Sequence, residues 1–314
     1  MLTPWQNSHV DRAIESFERQ QLGHAQLVVG PAALGKLDFA RKLGHRLLCT
    51  QARGAAEACG TCKSCMLLAA GSHPDWHEIS FEENNEGKLR KEITIDQLRD
   101  LSGKLQLSSQ LGGPIFALIH PADAMNFAAS NTLLKTLEEP MENRFLFLVT
   151  DRIGRISATI KSRCQRIEMR APPIGESLNW LTSQGVDATT AQDALRAARG
   201  NPGLAMDWIQ RGDVLPLRND VIAKLDAIAH GKASLREVAD SWVDDENLPM
   251  ILEFAADHAL STATANPNAA MLIGDWFDKV NQTRGYLATT LRKDLMLHEL
   301  LLQWQSVARK IASA

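Results

Sequence analysis

The stretch that most restricts the fold of this chain runs from Leu27 to Leu37. Leu27, Val28 and Val29 lead into Gly30, four residues follow, and Gly35 and Lys36 close the set. This is the Gly-x4-Gly-Lys frame of a phosphate-binding loop. Its glycines let backbone N–H groups curl around phosphates, and the next helix adds partial positive charge at its N-terminus. Such a loop needs a strand before it and a helix after it. The helix is legible: Phe39, Ala40, Leu43, Leu47 and Leu48 recur at helical spacing. The residue after the lysine should carry a hydroxyl for Mg²⁺, and Leu37 carries none. Gly30, Gly35 and Lys36 thus form a degenerate loop, expected to hold ATP weakly or not at all. The competing reading is a tight strand-to-helix turn with a surface lysine.

A working loop of this kind also needs a carboxylate on a neighbouring strand to hold Mg²⁺. The candidate strand is Ile115–Ile119, and the next two residues are His120 and Pro121. Neither is acidic. Asp123 lies beyond the turn and is read as a cap for the following helix. Hydrolysis at this site would have to recruit unconventional ligands such as Asp38 or Asp123, which is the alternative reading of the chain as a self-sufficient ATPase.

Four of the five cysteines fall in one window: Cys49, Cys59, Cys62 and Cys65. Pairs of thiolates two residues apart reach one tetrahedral ion, and the longer excursion delivers the remaining arm. Four ligands close the site to water, so the set predicts structural rather than catalytic zinc. His73 and His77 are spare donors nearby. The alternative is four unrelated thiols. A zinc-dependent nucleic-acid module is disfavoured, because Lys63 is the only basic residue within 59–65. Formal net charge is -3, so no global basic character marks a nucleic-acid binder. No apolar run reaches membrane-spanning length. The N-terminus lacks the basic and apolar regions of a signal peptide. A cytoplasmic location is expected.

Around these features strands and helices alternate up to about residue 170. Helices are expected over the first twenty residues, from Ile95 until Gly112-Gly113-Pro114, and over Ala128–Glu138. Strands are expected after Trp76, at Ile115–Ile119 and at Phe145–Val149. Continuous apolar strands between helices predict a parallel sheet covered on both faces. Residues 82–92 are crowded with charge and read as a solvated loop. After Ala171-Pro172-Pro173 only helical periodicity remains: near 175–184, 188–198, 202–210, 217–229, 247–261, 270–283 and 286–311. The last carries Leu287, Leu291, Leu295, Leu301, Trp304 and Ile311 as its stripe. The reading is an α/β domain (1–170) with a four-cysteine zinc module (49–65), a small helical domain (171–210) and a helical C-terminal domain (211–314).

One basic residue stands out at the edge of the α/β domain, Arg163 in Ser162-Arg163-Cys164. An arginine there can reach a neighbouring subunit's nucleotide and stabilise charge on the transferring phosphoryl group. On spacing alone it can equally be a surface arginine. Cys164 reads as a small buried hydrophobe.

Taken together, these motifs resemble the clamp-loader branch of the AAA+ proteins, and within it the delta-prime family of bacterial DNA polymerase III. The matching residues are Pro4-Trp5, His24-Ala25, the cysteine insert, Gly71-Ser72-His73-Pro74-Asp75, Leu111-Gly112-Gly113, the block from Asn131 to Pro140, Ser162-Arg163-Cys164-Gln165-Arg166 and Gly200-Asn201-Pro202-Gly203. The C-terminal hundred residues match only in being helical. The resemblance implies a P-loop (AAA+) α/β domain, a helical lid and an all-α collar that joins subunits into a ring. It implies gamma/tau ATPase subunits and the delta subunit as partners, with the sliding clamp and primed DNA reached indirectly. In active relatives the segment at Gly200–Gly203 offers a second-sensor arginine, absent here, and Thr150 falls at the first-sensor position. The resemblance implies a subunit that hydrolyses nothing itself and supplies Arg163 to a neighbour's ATP.

Overall fold

The computed structural model describes residues 3–52, 57–84, 86–287, 289 and 291–312. The chain forms two compact units, Met1–Asp207 and Trp208–Ala314.

The first unit is built on a five-stranded parallel sheet. Its strands are β1 (Ala25–Val29), β2 (Trp76–Ile79), β3 (Ile115–Ile119), β4 (Arg144–Thr150) and β5 (Gln165–Glu168), in the order β2-β3-β4-β1-β5. Successive strand residues point to opposite faces. Leu27 and Val29, Ile115, Ala117 and Ile119, and Leu146 and Leu148 therefore share one face, where they meet Leu98 and Leu101 of α4 (Ile95–Gln106) and Leu133 and Leu137 of α5 (Phe127–Glu138). Val28, Phe116, Leu118, Phe147 and Val149 share the other. They pack on Val10 and Ile14 of α1 (Pro4–Glu18) and on Phe39, Leu43 and Leu47 of α2 (Lys36–Leu48). Each fully buried side chain of this kind stabilises the fold by about 1.5–3 kcal/mol. Burial on both faces is why the three central strands read as unbroken apolar runs.

Two departures from expectation have clear causes. The edge strand β5 has one apolar residue, Ile167, and mostly exposed side chains, so its sequence carries no strand pattern; backbone pairing to β1 creates it. Helix α4 opens at Thr94, whose N–H donates to Gln97 Oε1 at 2.9 Å, but it ends at Gln106, well before Gly112. The chain leaves the helix to wrap the buried Asp75, whose carboxylate accepts from Ser109 Oγ, Gln110 N and Leu111 N at 3.0, 2.9 and 3.1 Å.

Shorter helices complete the unit: α3 (Lys63–Ala69) in the cysteine insert and α6 (Ala158–Lys161), then α7 (Ile174–Ser183), α8 (Ala188–Ala197) and the start of α9 (Pro202–Arg211). The loop at 82–92 is largely exposed, with one isolated bridge between Glu83 and Leu89.

The second unit contains α10 (Val214–Ala229), α11 (Leu235–Val243), α12 (Leu248–Ala265), α13 (Ala270–Tyr286) and α14 (Lys293–Ala312). Its core gathers Leu225, Trp242, Leu252, Trp276, Leu300, Leu301 and Trp304. Buried indoles need a partner for their N–H; Trp276 donates to the Leu300 carbonyl at 2.8 Å and Trp304 to that of Leu225 at 2.9 Å. The expected single helix from 286 to 311 begins only at Lys293, and Leu291 and Leu295 are exposed. Of the stripe through Leu287, Leu291 and Leu295, Leu287 is half-buried and the other two are exposed. The packed face is Leu297, Leu300, Leu301 and Trp304.

Candidate functional site

The Gly30–Lys36 loop joins β1 to α2, the strand-to-helix context that the motif requires. Gly35 precedes α2 in a left-handed conformation (φ 73°), and a Cβ there would sit 2.1 Å from Gln6 Nε2. Gly30 lies against the carbonyl of Met169. Lys36 is not the surface lysine of a plain strand-to-helix turn, for its side chain is only 3% exposed. Its ammonium lies 2.6 Å from Asp151 Oδ1 and also donates to the Pro31 carbonyl of its own loop. The parallel pairing explains the first contact. Val29 lies opposite Thr150 in adjacent strands, so the residue after each strand meets the other's loop.

The loop is also held from outside. Gln6 accepts from the Thr3 N–H at 2.7 Å and donates to the Leu34 carbonyl at 3.2 Å and the Gly35 carbonyl. Trp5 Nε1 donates to the Leu34 carbonyl at 3.3 Å, and its ring stacks edge-on against Trp180 at 5.1 Å. From the start of α9, Asn201 Nδ2 donates to the Ala32 carbonyl at 2.9 Å. Gly203 then packs so closely that a Cβ would fall 1.7 Å from the Ala33 carbonyl oxygen. The Gly200–Gly203 segment thus touches the loop directly.

Among the described residues, no carboxylate replaces the missing magnesium ligands in the expected way. Asp123 is not the helix cap that its position suggested. Asn126 caps α5, accepting from Ala129 N at 2.9 Å, while Asp123 Oδ1 accepts from the Thr150 hydroxyl at 2.6 Å. Thr150 in turn accepts from Arg152 N at 2.9 Å. Burial first holds the His120 imidazole below its ordinary value, with Asp151 pulling the other way and Arg41 adding to the fall. Asp38 lies in the first turn of α2.

Arg163 stands at the far end of the domain, between α6 and β5. Its backbone is fixed by both neighbours: Ser162 caps α6, and Cys164 packs against the core, where burial pushes its thiol up to about 11. The side chain is 35% exposed, and its guanidinium reaches Glu138 Oε1 at 2.7 Å and the Thr159 carbonyl at 3.0 Å.

The four cysteines converge. Their sulfurs all lie within 4.8 Å of one another, with Cys49–Cys62 and Cys59–Cys65 each 3.9 Å apart. A tetrahedron of thiolates at about 2.3 Å from zinc has edges of about 3.8 Å, so the set fits that ion. Burial opposes ionisation of Cys62, but hydrogen bonds from Thr50 and the Cys65 N–H outweigh it and bring the thiol down to about 5. Burial pushes Cys65 up to about 12. A bound cation would hold all four as thiolates. His73 is committed elsewhere. Its Nδ1 accepts from Asp75 N at 3.1 Å, so its Nε2–H faces Ser64 Oγ at 2.8 Å, and Ser64 donates to the Leu48 carbonyl at 2.7 Å. That chain ties the cysteine module to the end of α2. Neither His73 nor His77 joins the sulfur cluster.

Sequence reasoning missed Asp151, Gln6 and Glu138. Each acts through a partner distant in sequence, and only the strand order or helix packing brings the pairs together. Among the described residues, no helix is long and apolar enough to cross a membrane.

Comparison with known proteins places these features in a family. The family model described as DNA polymerase III, delta subunit, matches residues 5–173. A DNA polymerase III subunit delta' from Pseudomonas aeruginosa is 37% identical over 243 residues, covering 77% of this chain and 72% of that protein. Another, from Yersinia pestis, is 27% identical over 96% of this chain and 95% of its own length. A solved DNA polymerase III gamma subunit-related protein from Thermotoga maritima overlays 95% of this chain and 100% of its own, at 16% identity and a TM-score of 0.46, a likeness too distant to bear on function.

Proposed function

The chain belongs to the DNA polymerase III delta-prime family, and on that premise we propose that it is a non-hydrolysing stator of the clamp loader. In this role it supplies Arg163 in trans to the ATP of an adjacent gamma/tau subunit. The ring so formed includes the delta subunit and loads the sliding clamp on primed DNA in the cytoplasm. The observation that carries the reading is the Lys36–Asp151 pair. The one cation of the chain's own phosphate loop already has an anion, beside a position 37 without a hydroxyl and positions 120–121 without a carboxylate. Arg163 is also paired, to Glu138, but its guanidinium is 35% exposed whereas Lys36 is enclosed. The self-sufficient ATPase reading would have to take Asp123 from the Thr150 hydroxyl.

On this reading residues 1–170 are the AAA+ domain, 171–210 its lid and 211–314 the collar. Cys49, Cys59, Cys62 and Cys65 hold a structural zinc. Two measurements test the reading. Purified alone, the chain should show no magnesium-dependent ATP hydrolysis, with or without DNA. Arg163→Ala in the reconstituted loader should lower hydrolysis steeply, by up to the ~10³-fold or more typical of arginine fingers, with assembly intact. Undiminished hydrolysis in that variant would sink the trans role.

A further inference from the structure

We infer that Glu138 is a positioning residue for Arg163: its carboxylate holds the guanidinium in a resting orientation that a neighbour's phosphate must displace. The inference rests on the trans-arginine reading above and concerns how that arginine is released.

The contacts of the guanidinium carry it. Glu138 Oε1 lies 2.7 Å from Arg163 Nη2, a charge-assisted contact. Carboxylate and phosphate both match the guanidinium fork, so the arginine cannot grip both with the same edge. The other terminal nitrogen, Nη1, donates to the Thr159 carbonyl at 3.0 Å and to Ser162 Oγ at 3.3 Å. The guanidinium is thus folded back onto its own subunit.

The backbone on either side is fixed. Ile160 is buried, Ser157 Oγ accepts from Ile160 N at 3.3 Å, and Cys164 packs into the core cluster. Exchange of partners therefore needs only rotation of the arginine side chain. Glu138 comes from the last turn of α5, a helix seated on the sheet by Leu133 and Leu137, so the resting partner does not travel with the finger. Because both groups are partly exposed, 35% for arginine and 49% for glutamate, the latch is weak enough to open. A fully buried pair would not exchange on demand.

The test is steady-state ATP hydrolysis by the reconstituted loader without clamp or DNA, comparing the parent with Glu138→Gln, Arg163→Ala and the double variant. Gln preserves shape and removes the charge. The expected result is a rise of about 1.5- to 5-fold in Glu138→Gln, the range that a partly exposed ion pair supports. The ATP concentration for half-maximal rate should fall, and the gain should vanish in the double variant. A structural defect at the end of α5 would persist without Arg163 and would lower the rate instead. If Arg163→Ala lowers hydrolysis but Glu138→Gln leaves it unchanged or reduces it, the latch is overturned and the trans role stands. If Arg163→Ala changes nothing, both fall together.

Discussion

Asp151→Asn separates the two possible meanings of the phosphate loop. The substitution keeps shape and removes the charge facing Lys36. Losing one partner of a fully buried ion pair costs about 3–5 kcal/mol. Here Lys36 is enclosed but Asp151 is 46% exposed, and the Pro31 carbonyl still accepts from the ammonium. Solvent screening of the aspartate side lowers the expected loss to about 1–2 kcal/mol. For a unit of this size that is a fall of about 2–8 °C in the unfolding midpoint. The freed ammonium then offers an anion site that the parent lacks. Inorganic phosphate or ADP should restore the midpoint of the variant in proportion to its occupancy, about 2.7 kcal/mol at a hundred times the Kd. The parent should respond little to the same anions. Thermal unfolding of both proteins across a phosphate and an ADP series, at fixed ionic strength, reads all of this. An Asp151→Asn variant as stable as the parent, or a parent stabilised equally by ADP, would refute the idea that Asp151 occupies the lysine's anion site.

Other consequences are equally direct. Metal analysis should find one zinc per chain, lost in Cys62→Ser; amide exchange should then quicken over 57–75 while the sheet stays protected, because metal binding and local folding are coupled. Gly203→Ala should destabilise the chain by about 1–3 kcal/mol, since its Cβ would meet the Ala33 backbone carbonyl and not a flexible side chain, and a denaturant midpoint shift checks it. Trp304→Ala should cost about 3–5 kcal/mol through the cavity it leaves beside Trp276, read as loss of cooperative unfolding in the C-terminal unit. Burial holds His120 and His258 below the ordinary histidine value, with Asp151 and Asp226 respectively pulling the other way. The unfolded chain therefore binds more protons than the folded one as pH falls. Their contribution to stability is complete above about 6.5 and declines below it, so urea midpoints should drop between about pH 7 and 5.

The parts of this molecule that sequence reveals are those where one segment suffices. The central strands β1, β3 and β4 are legible because burial on both faces leaves little room for polar residues to interrupt them. The sulfur cluster is legible because its ligands lie within a short stretch, and chain spacing alone limits where they can meet. Strand β5 is not legible, because an edge strand with exposed side chains has no apolar pattern to display. The reassignment of Asp123 from cap to acceptor for Thr150 depends on β4 lying beside β3. The Leu287–Leu295 stripe shows the reverse failure: periodicity is present, but Leu291 and Leu295 stay exposed. Strand order and helix docking are non-local facts, and the two electrostatic contacts that matter most, Lys36–Asp151 and Arg163–Glu138, both rest on them.

Lys36 is the residue that a worn nucleotide site leaves unexplained. If Leu37, His120 and Pro121 record the loss of hydrolysis, nothing in phosphate chemistry requires the lysine to survive. Its surroundings supply a different reason. The ammonium bridges the Pro31 carbonyl at one end of the loop and Asp151 beyond β4, while Gln6 takes the Leu34 and Gly35 carbonyls and Asn201 that of Ala32. Removing the charge by Lys36→Met would leave the Asp151 carboxylate without its cation and the Pro31 carbonyl without a donor; water reaches both partners, so the cost is about 1–2 kcal/mol in all. A lysine kept for phosphate predicts a variant that folds as well as the parent and differs only in binding nucleotide. A lysine kept as a clasp predicts a clear fall in the unfolding midpoint with no nucleotide present. The double variant Lys36→Met/Asp151→Leu removes both charges together, so a clasp predicts that it recovers much of what either single change loses. Strict additivity of the two single changes would show that the ammonium and carboxylate do not depend on each other, and the lysine would again need a ligand to explain it.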